Sequence, residues 1–576
     1  MFKSIQLVFL FSLISVLSFA RDKVIFISNQ SSFEKISSLI NDAAGHGFTD
    51  ITIKVSSGTY FFHEKHISLG TIKNDSLSIR IIGKDVLIVP EGREVNTNKV
   101  LNDYSYNSTV IDITNRKRIK VWSDLEYADS KVEVLDEDSK LCRIKCSKLN
   151  SRDVVIDDAF IMLTAWCRTY YYHIQSIDGP YVYFIADNLA PGIKRSGRFE
   201  YNVNNDVMYA YAIPRFRVCN LKPLNVGEAY ICDAQSFLWA VGVRLKSFEI
   251  NGFTFLGNKT MGDLESSSCS YLVFNNCKAE SITVQDCCFI GQNSRVIAIS
   301  KTDNVHILDS KFYNNFRYGI TEYNSCKNTE IINNYFEENG EDLSYDRCIS
   351  CSGSNYYIAN NSFINYGYCG ISVGLYYTAS IENEPSGVVE YNTLLYTDER
   401  MKELWRYSIM DSGAIYTWTQ NIKSIIRFNR IQNYGGVSFN NGIYCDDGTK
   451  GVSIYGNIIT GIVNGSAIHL RRFSIADPYV GRGNISNSIH NNVIEGNYVF
   501  EGNECENDCF KGENYVLTKE GFDFPNHVVK NIPNAMDDIS IPYLGIKRGK
   551  IKIGRSGYKL VVRGELKGYF RKYLSR

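Results

Sequence analysis

The stretches IINNYFEENG (331–340) and IANNSFINYG (358–367) share one pattern, in which a short apolar run leads to an Asn and an apolar residue follows two positions later. The pattern recurs along the second half of the chain, and these apolar residues close the repeats: Phe255, Phe289, Phe312, Phe336, Phe363, Leu394, Ile431, Ile459 and Ile494. In the last six repeats, the residue two positions earlier is Asn: Asn334, Asn361, Asn392, Asn429, Asn457 and Asn492. The closing residues lie 23 to 37 positions apart, which predicts a solenoid whose coils are lengthened by individual loops.

The recurring Asn indicates which solenoid this is. Asn tolerates the left-handed backbone angles of a tight corner between two strands. Stacked coils lie about 4.8 Å apart, so each Asn amide can bond the next Asn and satisfy corner groups that water does not reach. Leucine-rich repeats also carry a spaced Asn, but the Leu-x-x-Leu-x-Leu run that they need is absent. The pattern therefore predicts an all-β protein, a right-handed parallel β-helix.

The rest of the chain divides around this repeat. Residues 1–20 resemble a secretory signal, with a charged start, an apolar run and a small-x-small end, and predict a periplasmic or secreted protein. Residues 21–96 predict an N-terminal cap, with a short amphipathic helix, and the first coils. Residues 97–235 predict an inserted antiparallel, sandwich-like β region. Residues 236–500 predict the β-helix, whose face we expect to carry the catalytic residues described below, and 501–576 predict a capping segment and basic tail.

The composition limits the partners. The formal net charge is zero, and no stretch beyond the signal approaches the roughly 18–20 apolar residues of a membrane span. We expect a monomer without a nucleic-acid partner. Sixteen cysteines invite a disulfide reading, and the spacings of Cys142/Cys146, Cys348/Cys351 and Cys505/Cys509 suit it, the last pair best. Most other cysteines look like small core residues, and no zinc-ligand spacing occurs, so we expect no metal and no cofactor.

Three segments place chemically active residues on neighbouring coils: DSGAIYTW (411–418), NGIYCDDG (441–448) and GSAIHLRR (465–472). They align on Ile415, Ile443 and Ile468, which should point into the solenoid. Side chains alternate along a strand, so a second set should point outward: Tyr416, Trp418, Tyr444, Asp446, His469 and Arg471. The alignment predicts one solvent-facing patch of aromatic, acidic and cationic groups.

This patch has the groups of a carbohydrate-cleaving site. Aromatic faces stack on sugar rings, and paired carboxylates cleave glycosidic bonds, one as acid and the other as nucleophile or base. The alternatives are that Asp-Asp-Gly is an ordinary turn and that exposed Tyr is common on sheets. Asp411 and Asp446 are seven positions apart along the coil, which in an extended strand is roughly 20 Å. Unless the chain bends back, Asp446 would pair with Asp447 or a loop acid.

DSGAIYTW followed by GIYCDDGTKGVSIYGN resembles a widespread group of exported bacterial β-helix proteins. The group includes glycoside hydrolases described as α-L-fucosidases and xylanases, with a more distant β-xylosidase family of the same pectate-lyase-like solenoid fold. The segment PRFRVCNLKPLNVGEAYICD (214–233) resembles the group's entry into the main helix. The resemblance covers about residues 97–499, and it implies a catalytic set of Asp411, Asp446 and Asp447. The chain departs from the group at Cys445, usually Leu, and at Trp418, usually Gly.

The leading hypothesis is a glycoside hydrolase acting on a plant or host polysaccharide or oligosaccharide. Tyr416, Trp418 and Tyr444 would form the sugar platform, His469 and Arg471 would hold hydroxyls or a carboxylate, and Trp405 would add to the wall of the cleft. A polysaccharide lyase of an acidic glycan is the second reading; it would use a basic residue as proton abstractor and predicts calcium dependence. The third is an adhesin that binds glycans without cleaving them.

Overall fold

The computed structural model describes residues 21–94, 109–186, 215–258 and 270–500 with short internal gaps, of which 375–384 and 472–486 are the longest, and several short strands between 510 and 564. The expected signal at 1–20 and the expected Cys505–Cys509 bridge lie outside the described residues.

The N-terminal part alternates short helices with strands: β1 (Asp22–Ile27), α1 (Gln30–Phe33), α2 (Ile36–Gly45), β2 (Asp50–Val55), β3 (Gly58–Phe62), β4 (Ile67–Ser68) and β5 (Lys73–Pro90). The next part consists of antiparallel strands: β6 (Gly92–Glu94), β7 (Val110–Asp112), β8 (Lys117–Ile119), β9 (Trp122–Ala128), β10 (Val132–Asp136), β11 (Leu141–Lys145), β12 (Ala159–Ala165), β13 (Arg168–Asp178), β14 (Tyr181–Ile185), β15 (Arg215–Leu221) and β16 (Ala229–Cys232). Two 3₁₀ turns, Ser151–Asp153 and Ile156–Asp158, connect β11 to β12.

The long second half consists of short strands that belong to successive coils: β17 (Leu238–Val241), β18 (Arg244–Leu256), β19 (Leu272–Asn275), β20 (Ser281–Gln285), β21 (Cys288–Ile290), β22 (Ile297–Ser300), β23 (Val305–Leu308), β24 (Lys311–Tyr313), β25 (Ile320–Glu322), β26 (Glu330–Ile332), β27 (Tyr335–Glu337), β28 (Arg347–Cys351), β29 (Ser354–Ala359), β30 (Ser362–Ile364), β31 (Cys369–Val373), β32 (Ser386–Glu390), β33 (Thr393–Leu395), α3 (Asp398–Lys402), β34 (Met410–Thr417), β35 (Ser424–Arg427), β36 (Arg430–Gly435), β37 (Ser438–Cys445), β38 (Ser453–Tyr455), β39 (Ile458–Val463), β40 (Ile468–Leu470), β41 (Ser488–His490), β42 (Val493–Glu495) and β43 (Tyr498–Phe500). The last described strands are β44 (Phe510–Lys511), β45 (Tyr515–Thr518), β46 (Gly521–Asp523), β47 (Gly549–Ile553) and β48 (Leu560–Gly564).

These strands stack coil upon coil into a parallel β-helix. One sheet of 11 strands, here called the site sheet, runs in the order β4-β17-β19-β22-β25-β28-β31-β34-β37-β40-β43. Its members pair in parallel, and so do the corresponding strands of the other long sheet, for example β26 with β29 and β30 with β33. Parallel pairing between successive coils confirms the fold class expected from the repeat, including an antiparallel β region between the early coils and the main helix.

The asparagine ladder is present. Each Asn side-chain nitrogen donates to the side-chain oxygen of the next Asn at 2.9–3.0 Å, through the series Asn334, Asn361, Asn392, Asn429, Asn457 and Asn492. The same oxygen also accepts from the backbone N–H of the preceding Asn, as at Asn361 at 2.9 Å. The ladder satisfies buried polar groups at every turn, which fixes the register of the coils.

The residues that close each repeat fill the interior. All nine are fully buried, and the first five form a stack of Phe rings with centroids 4.5–5.1 Å apart: Phe255, Phe289, Phe312, Phe336 and Phe363. The same core extends to the N-terminal end, where α2 buries Ile36 and Ile40 against it. The helix thus covers the apolar end of the solenoid, and β1, which the sequence analysis missed, precedes it as an outer strand.

The described cysteines form no disulfide bonds with one another. Twelve are described, and none of them forms a disulfide, including the pairs Cys142/Cys146 and Cys348/Cys351. The reading of these two spacings as disulfides was wrong because the chain there is extended. Extended residues three or four positions apart lie roughly 10–13 Å apart, beyond the reach of a disulfide. No described helix is both long and apolar enough to span a membrane.

Candidate functional site

The three aligned segments lie on neighbouring strands of the site sheet. Ile415 of β34 pairs with Ile443 of β37, which pairs with Ile468 of β40. All three isoleucines belong to the solenoid core, as do Cys445 and Leu470. The register derived from the sequence is therefore correct, and the next residues of the three strands, Tyr416, Tyr444 and His469, form one outward row.

The outward row does not face solvent. Tyr416, Tyr444, Asp446, His469 and Arg471 retain only 0–7% of their surface. The prediction of a solvent-facing patch was wrong. The alternation of side chains along a strand shows which residues point away from the core, but it does not show whether other parts of the chain pack over them. Tyr416 and Tyr444 belong to a second apolar cluster outside the solenoid core, and Trp418, which is only half-buried, packs against its edge.

Asp411 and Asp446 share one guanidinium. The Nη1 atom of Arg471 lies 2.9 Å from Oδ1 of Asp411 and 3.6 Å from Oδ1 of Asp446. The two carboxylate oxygens therefore lie at most 6.5 Å apart, which is the sum of these distances. The separation of roughly 20 Å expected for an extended strand was wrong.

A backbone corner explains the difference. Asp411 has a left-handed backbone conformation, with φ of 53°, although it is not glycine. The stacked residues of the next two coils, Phe439 and Asn464, repeat it with φ of 50° and 59°. Each of the three coils thus bends at its corner residue, which is Asp411, Phe439 or Asn464. The long side chains of Tyr444 and Arg471 reach back to the carboxyl group of Asp411.

Tyrosine hydroxyls bind both carboxylates. The hydroxyl of Tyr416 donates to Oδ2 of Asp446 at 2.5 Å, and that of Tyr444 donates to Oδ1 of Asp411 at 2.9 Å. Arg471 Nη1 also donates to the Tyr444 hydroxyl oxygen at 2.9 Å. The imidazole of His469 lies beside this network, with its centroid 5.2 Å from the Tyr444 ring. The carboxylates are therefore fixed by a continuous hydrogen-bond network.

The two carboxylates differ in environment. Burial and the neighbouring negative charge of Asp446 raise the pKa of Asp411 to about 6, against the opposing effects of Arg471, the Tyr444 hydrogen bond and His469. A carboxyl group whose pKa is raised to about 6 beside a second carboxyl group has the properties of a general acid.

Two residues of the preceding coils also contribute, and the sequence analysis missed both. The hydroxyl of Tyr368 donates to the backbone carbonyl of Asp411, so it holds the corner. Arg347 lies beside the Tyr368 ring, with Cζ 5.6 Å from the ring centroid. Extending the alignment backward from Ile415 to its partner Ile371 would have brought Tyr368 to the site.

Not every expected residue can be placed. Asp447 and Trp405 lie outside the described residues, so their membership of the site stays a prediction. Within the described part of the chain, no group of three or more His, Cys, Asp or Glu side chains is arranged to hold a metal ion.

Neither family models nor curated protein sequences match this chain. Among solved structures, it is similar to the surface adhesin PfbA of Streptococcus pneumoniae, at 12% identity and a TM-score of 0.23 over 92% of this chain and 96% of that one. It is also similar to the Gp54 tailspike of Acinetobacter baumannii bacteriophage AP22 in complex with capsular saccharide, at 9% identity and a TM-score of 0.15 over 85% and 77% of the two chains. A third is the catalytic domain of a GH87 α-1,3-glucanase in complex with tetrasaccharides, at 8% identity and a TM-score of 0.17 over 76% and 84%. At such identities and scores, the function has to be inferred from the geometry of the site.

Proposed function

We propose that the protein is a glycoside hydrolase that cleaves a polysaccharide or oligosaccharide with the carboxyl groups of Asp411 and Asp446. The observation that carries this proposal is the shared guanidinium of Arg471, which holds oxygens of the two carboxylates within 6.5 Å of each other. Paired carboxyl groups of glycoside hydrolases lie about 5–9.5 Å apart.

The environments assign the roles. Asp411, whose pKa is raised to about 6, protonates the glycosidic oxygen as the general acid. Asp446, which accepts the short hydrogen bond from Tyr416, is the nucleophile or the base that activates water. Arg471 stabilises the negative charge that remains on Asp411 after the proton has moved.

The aromatic residues divide into two groups. The hydroxyls of Tyr416 and Tyr444 are committed to the carboxylates and both rings are buried, so these two are positioning residues and do not form the expected sugar platform. Trp418 is half-buried, and its exposed part is suited to stacking on a sugar ring. His469 supplies a further polar contact beside the acids.

The finer assignment follows the motif resemblance. We propose the α-L-fucosidase and xylanase group of exported β-helix enzymes as the reference class for substrates, and export to the periplasm or medium. A lyase reading is less well supported, because Arg471, its candidate proton abstractor, lies between two carboxylates and keeps its proton.

The test is a screen of the purified protein against aryl glycosides and plant polysaccharides, with and without EDTA. We expect release of reducing sugar that EDTA does not affect, and its loss in Asp411→Asn and in Asp446→Asn with a nearly unchanged melt. Activity that survives both substitutions would refute the proposed acid pair. Unsaturated products that require calcium would indicate a lyase, and binding without release would indicate an adhesin.

A further inference from the structure

Arg347 is a cation next to the acid pair that has no role in the proposed cleavage. It lies at the start of β28, two coils before β34, and its backbone pairs with that of Cys369. At about 4.8 Å per coil, it stands about 10 Å along the solenoid axis from the coil of Asp411. It is therefore placed next to the acids rather than between them.

Aromatic faces surround this cation. Its Cζ atom lies 5.6 Å from the centroid of Tyr368 and 6.0 Å from that of Tyr318. Among the described residues it forms no ion pair with a carboxylate, and its buried Nε atom has no hydrogen-bond partner. Arg471 differs, because its Nη1 is bonded to Asp411 and Tyr444. Arg347 thus carries a charge that the described part of the protein does not neutralise.

The position can be approached from solvent. Arg347 and Tyr318 are half-buried, whereas Tyr368 and Tyr416 are buried. Small residues precede Tyr416 in its outward row, namely Ser350 on the strand of Arg347 and Ser372 on the one coil between. Tyr368 joins the two positions, because its ring lies beside Arg347 and its hydroxyl donates to the backbone carbonyl of Asp411.

We propose that Arg347 forms an anion-recognising subsite, so that the substrate carries a carboxylate or sulfate group on the sugar next to the cleaved bond. This rests on the proposed glycosidase function and names its substrate class. A guanidinium recognises carboxylate and sulfate oxygens by charge-assisted, often bidentate hydrogen bonds, and the half-buried ring of Tyr318 is available to pack against the sugar. The cation also offsets the repulsion that an acidic sugar would meet from Asp411 and Asp446.

The test compares matched polymers: a glucuronic-acid-bearing xylan with its carboxyl-reduced form, and a sulfated fucan with its desulfated form. The measured quantity is the ratio of kcat/KM on the acidic polymer to that on its neutral form. Arg347→Gln should lower this ratio about 10- to 100-fold, because it removes a charge-assisted bond to the substrate. Arg347→Lys should restore a large part of it. If the wild type prefers the acidic xylan over its reduced form, the recognised anion is a carboxylate. If it prefers the sulfated fucan over its desulfated form, the anion is a sulfate.

Arg80→Gln is the matched control, because it removes one positive charge from a partly exposed ion pair with Asp50 at the N-terminal end of the solenoid, many coils from the acid pair. The ratio of kcat/KM on the acidic polymer to that on its neutral form should be the same for Arg80→Gln as for the wild type. Equal wild-type cleavage of both members of each pair, or an unchanged ratio in Arg347→Gln, would overturn the subsite.

Failure of the proposed function gives a different result. In that case the wild type cleaves no polymer, and affinity electrophoresis on the same polymers becomes the readout. Selective retardation by acidic polymers that Arg347→Gln abolishes would support the subsite in a protein that only binds. Equal retardation of both proteins would overturn it.

Discussion

At the scale of single residues, Asp411 determines how the site works. Its left-handed corner places the carboxyl group under Arg471 and near Asp446, and burial there raises its pKa to about 6. A non-glycine residue held in this conformation costs free energy that the surrounding contacts, among them the Tyr368 hydrogen bond, must offset. The raised pKa of Asp411 therefore depends on its backbone conformation as well as on its carboxyl group.

The first prediction concerns the pH dependence of cleavage. If Asp411 must be protonated, kcat/KM on an uncharged aryl glycoside falls as pH rises through about 6. Tyr444 donates a hydrogen bond that lowers the pKa of Asp411, so Tyr444→Phe should move this fall to higher pH. The measurement is the pH profile of kcat/KM for both proteins. If kcat/KM of Tyr444→Phe falls at the same pH as that of the wild type, Asp411 is not the general acid.

The second prediction concerns stability. The folded pKa of Asp411, about 6, exceeds its usual value of 3.8, so the folded state retains a proton that the unfolded chain loses. Stability should therefore fall as pH rises from about 4 to about 6, by up to about 3 kcal/mol from this group.

Asp411→Asn should remove that fall, because Asn does not titrate and tolerates the left-handed corner. Melting temperatures of both proteins between pH 4 and 8 test this. Parallel curves would show that Asp411 does not titrate in this window.

At the scale of elements, the asparagine ladder sets the stability of each coil. Asn392 donates to the Asn429 side chain and to the carbonyls of Ile358 and Glu390, and it accepts from Asn361, all inside the protein. We predict that Asn392→Ala destabilises the protein by about 3 kcal/mol or more, because several buried groups lose their partners. Chemical denaturation measures the loss.

An exposed ladder of the same residue type provides the control. Asn328 donates to Asn304 and accepts from Asn355, but on the surface, where water replaces lost partners. Asn328 has a left-handed backbone with φ of 58°, so glycine is the replacement that adds no strain, and Asn328→Gly should cost less than about 1 kcal/mol. A similar loss for both variants would mean that the buried ladder contributes no more than surface contacts.

The repeat made the ladder and the register predictable. Equivalent Asn and Ile residues recur in successive coils, so a single sequence contains the same contact several times. The placement of Arg347 and the burial of Tyr416 depend on contacts between distant segments. The corner at Asp411 recurs in the next two coils, but at Phe439 and Asn464, so no shared residue type marks it in the sequence. The alternation of side chains along the strand correctly predicted that Tyr444 points away from the solenoid core, but it did not predict that Tyr444 is buried.

At the scale of the whole molecule, a solenoid is held by contacts between neighbouring coils, so its ends are its weak points. The helix α2 covers the N-terminal end, where Ile36 and Ile40 are fully buried in the main core. An uncovered end would present apolar side chains and unpaired strand edges, which favour association between copies.

The last prediction follows from this end. Ile40→Asp should loosen the helix and expose the first coil, so that the protein self-associates, whereas Ser38→Asp on the exposed side of the same helix should stay monomeric. Light scattering after size exclusion measures the mass of each. Because solenoid contacts are local, the fraction of Ile40→Asp that remains soluble should keep wild-type kcat on an aryl glycoside, since the acid pair lies many coils away. A monomeric Ile40→Asp would show that α2 is dispensable as a cap, and a lowered kcat would show coupling along the solenoid beyond neighbouring coils.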